Sequence, residues 1–564
     1  MIIKYLPFLI SILLATPLYS APLTPDEDLS QSDIMRLGEQ MYRNGVLPSG
    51  EYMPAYIRGD TEVDSGAFSC SSCHLRAGLG SYEGGVVTPP TTGRKLYEPY
   101  RRPPSLGDTV DQTGRYIYAK TVQERPSYNR TTLASALRFG VDPVGQKFND
   151  VMPRYPLSDR DMTILIRYLE FLSHEPSPGA SSSEFRFATI ITDDVSPEER
   201  KALLNPLQNF MDRKNQQLAL YNDYIKFGYI PTAEMKYAFR KASLDIWDLK
   251  GDPSTWRKQL ENYNAAKPVF AILGGISNQN WKPVHDFCES ERIPSLFPIT
   301  DFPVVSDTSW YTYYFNKGYA QEGEGAAKYL NRLIEDADTK TVLQVVQDSE
   351  VARALASGFE NSWKEMERSP IKSIKLTAGE LADNKTLNKI LSSRRTSVLL
   401  LWADAETLPQ LKKTLSRLKG RKIIFMSSGY LGKKAADISD EVRKNIYLTW
   451  PYRLTPYIGP QTGQFDARVP IVTSVKDFGE SRITSRTVAM LLQAALQGLN
   501  KIYDNLYRDH FMDVMSMQMD LTVRDYERLS FGPGQRYVSK GCYIIQLGHG
   551  KNPELIPRSE WVIQ

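Results

Sequence analysis

Residues 245–277 read DIWDLKGDPSTWRKQLENYNAAKPVFAILGGIS. An apolar, strand-forming run ends in a turn at Lys250, Gly251 and Asp252. Pro253 and Ser254 then open a helix, because a proline's missing N–H costs nothing in a first turn. The helix gives way to a second apolar run, PVFAILGG, closed by two glycines. Strand, helix and strand in this order form the crossover that joins two parallel strands.

The same beat continues in both directions. Upstream, FRFATIITDD is a short β-rich run, followed by a helical stretch from Pro197 to about Tyr224. Downstream, NWKPVHDFCESERI reads as a helix and PSLFPIT as a strand. Further strands are TVLQVVQ, SIKLTAG, TSVLLLWA and KIIFMSS. Apolar strands alternating with helices predict parallel sheets covered on both faces. Two runs of such units, joined around Tyr313 to Leu330, predict two α/β lobes.

With the segment 245–277, the closing stretch SFGPGQRYVSKGCYIIQLG carries a family likeness. Residues 185 to about 550, within an expected domain over 185–564, resemble the type I periplasmic binding proteins of the branched-chain amino acid class. The resemblance implies a small-molecule ligand held between two lobes, at the carboxyl ends of the strands. Those ends hold Ser277 and Asn278, then Thr300, then Asp348, Trp402, Asp404 and Tyr430. Hydroxyls of Ser277 and Thr300 would hold a carboxylate, Asp348 or Asp404 an ammonium, and Trp402 would wall the pocket. The alternative is that these polar residues only cap helices. The chain also departs from the family. TIITDDVSPEERK has no glycine-rich loop after the first strand, and QDSEVARAL replaces the usual aspartate-tyrosine-glycine.

The N-terminal third is different. FSCSSCHLR, residues 68–76, places Cys70, Cys73 and His74 in one motif. A structural zinc site needs about four ligands, and this cluster offers at most three. C-x-x-C-H is the spacing of c-type haem attachment, two thiols for the vinyl groups and a histidine for iron. Downstream, Met152-Pro153 precedes a helix capped by Ser158, with Met162, Leu165, Ile166, Leu169 and Leu172 at helical spacing. With SDIMRLGEQMYRNG, carrying Gly38 and Tyr42, residues 30–174 resemble a class I monohaem cytochrome c. The resemblance implies an all-α domain with one covalent haem c. It makes His74 the proximal ligand of the haem iron and Met152 the distal one. Arg101 and Arg102 would pair with a propionate or remain solvated, and Met162 is core.

The stretch 175–184, rich in Pro, Gly and Ser, reads as a linker. Residues 1–21 carry one lysine, a short apolar core and small residues near Ser20 and Ala21, the pattern of a signal peptide; a membrane anchor is the alternative. Export implies a periplasmic location, with no stable membrane span after signal removal. Cys288 and Cys542 are left over, as a disulfide or as two buried thiols.

Net charge is +4, with 17 basic against 20 acidic residues over 22–175 and 51 against 45 beyond. No basic cluster with interleaved aromatics points to nucleic acid, and G-x-S-x-G, H-E-x-x-H and P-loop motifs are absent. The expectation is a multidomain, non-enzymatic protein: an all-α cytochrome c domain, then a bilobal α/β domain. It would carry electrons for a periplasmic redox partner, a dehydrogenase or another cytochrome. The alternative is a solute receptor of a transport or signalling system in which haem is a sensor or structural element. A third reading, an enzyme activating a small molecule, needs an open sixth site on iron.

Overall fold

The structure, a computed structural model, describes residues 29–83, 86–101, 124–230, 240–334, 341–391, 396–409, 423–454, 485–520, 526–532 and 534–563. The expected signal segment 1–21, the side chain of Arg101, and Arg102 lie outside the described residues. The chain divides into two compact units, Met1–Glu175 and Pro176–Gln564. Among the described residues no helix is long and apolar enough to cross a membrane.

In the first unit, helix Gln31–Asn44 starts where the Ser30 side chain accepts Asp33 N at 3.1 Å. It stops at Gly45, whose φ of 66° suits glycine. Its buried face, Ile34, Gly38, Met41 and Tyr42, packs against helix Asp159–Phe171. Contact is closest at Gly38, where a Cβ would come within 2.3 Å of Tyr168 Cβ. The Tyr42 and Tyr168 rings lie 5.6 Å apart beside it. Helix Arg130–Phe139 carries a capping box of Asn129 and Thr132 and adds Leu133 and Leu137 to the same core as Met41, Tyr155 and Met162.

The unit is not all-α, as the resemblance had implied. Short antiparallel ladders pair β1 (Tyr56–Ile57) with β2 (Thr61–Glu62), β3 (Ser81–Glu83) with β4 (Val86–Thr88), and β5 (Tyr100–Arg101) with β6 (Glu124–Arg125). These strands are too short to carry an alternating apolar pattern.

The second unit begins earlier than expected. The stretch read as a linker is folded onto it: Ser177 N donates to Leu506 O at 2.8 Å, and Ala180 bridges Phe185. The buried Arg508 guanidinium also donates to the Pro178 and Phe270 carbonyls, at 3.3 and 3.1 Å. Gly179, at φ 84°, lets the chain turn against the Val269–Phe270 backbone.

Two sheets follow. The first holds β7 (Glu184–Thr192), β8 (Lys241–Leu249), β9 (Ala271–Leu273), β10 (Ser295–Leu296) and β11 (Thr312–Tyr313), all parallel, in the order β11-β10-β9-β7-β8. The second holds β12 (Thr341–Gln347), β13 (Lys372–Leu376), β14 (Thr396–Trp402), β15 (Ile423–Ser427) and β16 (Ile446–Trp450), again parallel, in the order β13-β12-β14-β15-β16. Antiparallel β17 (Gly541–Leu547), β18 (Leu555–Pro557) and β19 (Val562–Ile563) complete it. Both parallel parts share the doubly wound order 2-1-3-4-5.

Strand alternation sorts the cores. On β7, Phe187 and Ile191 join the core on one face, with Ala188 and Ile190 in the other. In the second sheet Leu343, Leu399 and Met426 lie on one face, and Val342, Leu400 and Phe425 on the other. Helices Ser485–Lys501 and Arg508–Ser516 return to the first core through Leu491, Leu492 and Phe511, before β17 enters the second sheet. The chain thus passes between the lobes three times. Cys288, in helix Lys282–Ser290, and Cys542, on β17, are buried free thiols.

Candidate functional site

In the first unit, Ser69 precedes a single helical turn, Cys70–His74. Cys70 is buried and Cys73 exposed. Burial pushes the Cys70 thiol up to about 12. His74 is buried, with Nδ1 2.7 Å from the Pro89 carbonyl oxygen. Bonding to a carbonyl places the proton on Nδ1, so Nε2 carries a lone pair. That Nε2 is buried and has no hydrogen-bond partner. Desolvation lowers the imidazole's pKa, against the Pro89 bond, which raises it, so the ring is neutral at pH 7. An orphaned buried acceptor costs roughly 1–3 kcal/mol. A metal ion held by that lone pair would remove the cost.

Two thiols on one helical turn, followed by an imidazole fixed by a backbone carbonyl, fit covalent haem attachment. Met152 is half-buried and packs on the same core as Cys70, in a turn where its N–H donates to Asn149 O at 3.1 Å. Among the described residues no group of three His, Cys, Asp or Glu side chains could hold a metal ion.

In the second unit, each sheet has a switch point, between β7 and β9 in one lobe and between β12 and β14 in the other. Ligands of doubly wound sheets lie outside the strand carboxyl ends at such points. An aspartate bonds across each. After β7, Asp194 Oδ2 accepts Asn278 N at 3.1 Å, and the Asn278 amide donates to Asp194 O at 2.9 Å. After β14, Asp404 Oδ2 accepts Gln347 Nε2 at 2.6 Å, and Asp404 N donates to Gln347 Oε1 at 2.9 Å. Both arrangements hold two loops together at the point where the strands diverge.

The expected residues divide. Asp404 and Tyr430 come together with Asp348 near the end of β12: the Ser349 and Tyr430 hydroxyls bond at 2.8 Å, and Asp348 pairs with Arg353 at 2.7 Å. Asn278 faces the first switch point beside Ser277. Ser277 is fully buried, and its hydroxyl accepts Gln279 N at 3.0 Å within a turn. Thr300 likewise accepts Phe302 N at 3.1 Å.

Trp402 does not wall the cleft. It is fully buried, and its indole N–H donates to Gln344 Oε1 at 2.9 Å. Strand alternation turns it into the core under the helices, with Val398 and Leu400.

Several residues of the cleft carried no sequence signal. Asn280 and Glu350 bond between lobes at 2.8 Å. The rings of Phe302 and Tyr319, and of Tyr319 and Tyr430, each lie 6.3 Å apart. Beneath Tyr430, Glu322 is buried in the first turn of helix Tyr319–Ile334. Its carboxylate accepts Ser427 Oγ at 2.7 Å and the Thr449 hydroxyl. Burial lifts its pKa to about 7, opposed by Thr449, Ser427 and the Gly429 N–H.

Residues 240–519 match the family model described as "Periplasmic binding protein". No curated protein matches the chain. Among solved structures, the chain is similar to an ABC transporter substrate-binding protein from Sphaerobacter thermophilus, with 11% identity, 68% of this chain and 98% of that one covered, and a TM-score of 0.46. It is also similar to a solute binding protein of an ABC transporter from Rhodopseudomonas palustris BisB5 in complex with 3,4-dihydroxy benzoic acid, with 13% identity, 68% and 98% coverage, and a TM-score of 0.44. A putative branched-chain amino acid ABC transporter protein from Rhodospirillum rubrum gives 12%, 68%, 99% and 0.44. β7 and helix Pro197–Lys226, which bear the departure in sequence, precede the matched residues. Residues 240–519 of the second unit are thus similar to the periplasmic binding proteins.

Proposed function

We propose that the chain is an exported receptor that binds a small solute between the two lobes of its second unit, and that its first unit carries one covalent haem c. The observation that carries the receptor reading is the pair of switch points, one in each lobe and each bridged by an aspartate, in a domain of the periplasmic binding kind. The lobes are linked by three chain passages, so a solute held by both favours their closed arrangement. A periplasmic location is supported by the family and by the leader-like residues 1–21. Native mass spectrometry of protein purified from the periplasm tests the receptor reading. The expected result is a small molecule that leaves on denaturation.

The haem reading is supported by the buried, unpartnered His74 Nε2 and its Pro89 anchor. Cys70 and Cys73 would hold the group, His74 would be a ligand of its iron, and Met152 would supply a second iron ligand. A haem bound there supplies one-electron chemistry. The chain's own residues fix the imidazole and exclude water from it. In the receptor reading this group is a sensor or a structural element. The His74 geometry also favours a second reading, in which the first unit carries electrons for a periplasmic dehydrogenase or another cytochrome. Reduction by a candidate partner, followed in the visible spectrum, separates the two: rapid electron exchange supports the carrier, while a spectrum that responds only to solute supports the sensor.

A further inference from the structure

We infer that the cleft selects a small ligand that bears an ammonium group and lacks a free carboxylate; this rests on reading the cleft as the ligand site. Proteins hold anions with unpaired amides at helix N-termini and strand ends. Here the chain's own oxygens take those amides. Ser196 caps helix Pro197–Lys226 with Glu199 folded back on it, at 3.2 Å each way. Asn280 Oδ1 accepts Lys282 N at 2.9 Å at the start of helix Lys282–Ser290. Ser349 accepts Ala352 N at 3.2 Å, and Ser427 accepts Tyr430 N at 3.0 Å. At the first switch point the acceptor is itself a carboxylate, Asp194, on Asn278 N.

Charge points the same way. Arg353 is paired with Asp348, and Lys434 is paired with Glu406 while also within electrostatic range of Asp404. Asp194 has no cationic partner among the described residues. An entering carboxylate meets occupied amides and the carboxylates of Asp194 and Asp404; an entering ammonium is drawn to those same carboxylates.

Aromatic rings complete the argument. Phe302 comes from the first lobe, while Tyr319 and Tyr430 come from the second. Asp404 lies within electrostatic range of the Tyr430 hydroxyl. Ring faces flanked by carboxylates attract alkylammonium ions. The Asn280–Glu350 bond brings the two walls together at this end of the cleft, two residues from Asn278 and one from Ser349.

The test is calorimetry and thermal melting of the full chain with four probes: choline, butylamine, isobutyrate and valine. The expected result is binding of choline or butylamine, with a raised melting temperature, and no shift from isobutyrate or valine. Asp404→Asn, which keeps the capping oxygen, should weaken the ammonium probe at least tenfold, and Asp223→Asn on the exposed end of helix Pro197–Lys226 should not. Binding of the carboxylate probes without the ammonium probes overturns the charge inference and leaves the receptor reading intact. Silence from all four overturns the inference as well. The receptor reading then falls too if native mass spectra show no co-purified small molecule.

Discussion

The side-chain amide of Asn280 donates to Glu350 Oε1 at 2.8 Å, and this bond joins the first lobe to the second across the cleft. Both residues stand near helix starts: Asn280 lies two residues before helix Lys282–Ser290 and its Oδ1 accepts Lys282 N, and Glu350 is in the first turn of helix Glu350–Glu365. The latch therefore joins a loop tied to one helix start with the first turn of another helix. An exposed bond of this kind contributes roughly 0.5–1.5 kcal/mol. Because it joins the two lobes, its loss should appear as solute affinity. Glu350→Ala is expected to weaken the bound solute roughly three- to tenfold, mainly by faster release. Spin labels on the two lobes should report a larger open fraction in the variant. Unchanged release and unchanged distances would show that the bond does not restrain the lobes.

A second prediction concerns the first unit. Cys70→Ala with Cys73→Ala should abolish covalent haem, measured as haem retained on the chain after acid extraction. Covalent haem surviving in that double variant would remove the assignment. With Met152 as second axial ligand, the oxidised protein should show the weak red-edge absorption of sulfur on ferric iron. Met152→Ala should remove that band, lower the reduction potential and admit carbon monoxide, because a thioether favours the ferrous state. Wild-type protein that binds carbon monoxide at once would exclude Met152 as a firm ligand.

Much of this architecture could be read from periodicity, and the failures have physical causes. TVLQVVQ coincides with β12 and TSVLLLW with β14, because buried parallel strands are continuous apolar runs. Trp402 was misplaced because it ends such a run: only the pleat decides whether a terminal residue faces core or cleft. Asp194 and Gln347 had no motif, since each acts through a partner distant in sequence, Asn278 and Asp404. The linker reading failed because Pro, Gly and Ser also build tight ordered turns, as Gly179 does against Phe270. The C-x-x-C-H motif needed no tertiary information, yet the Pro89 anchor on His74 lies fifteen residues away and carries no signature.

The third prediction is a pH dependence centred on Glu322. Its folded pKa of about 7 lies above the ordinary 4.5, so the native state binds the proton more tightly than the unfolded chain. Stability from this group is fully present below pH 4.5 and is lost as pH rises through 7. The size is about 3 kcal/mol at most, from the shift of one carboxyl. The groups facing Glu322 are the Ser427 and Thr449 hydroxyls and the Gly429 N–H, which favour the carboxylate, and Asp301, which opposes it. Cys542 on β17 is near enough for Glu322 to raise its thiol further. Glu322→Gln should flatten the fall in the second unit's melting temperature between pH 5 and 8. An identical slope in wild type and variant would assign the pH dependence elsewhere.

The last prediction joins the two units through their four cysteines. Cys288 and Cys542 are free thiols buried in different lobes, the first in a helix of the first lobe and the second on β17. Cys288 packs with Trp256, Val284 and Phe287. Cys542 Sγ instead accepts the Trp450 N–H at 3.2 Å, and Gly325 leaves room for it: a Cβ there would approach Cys542 Cβ to 2.7 Å. Neither thiol is available to the other without unfolding a lobe, and burial raises both pKa values, which keeps them protonated and unreactive. Protein denatured without reductant should therefore show two titratable thiols when haem is attached through Cys70 and Cys73, and four when it is not. Native protein should show none from Cys288 or Cys542 over the same interval. A count of zero in denatured, haem-loaded protein would demonstrate a disulfide between the lobes and contradict the burial of two independent thiols.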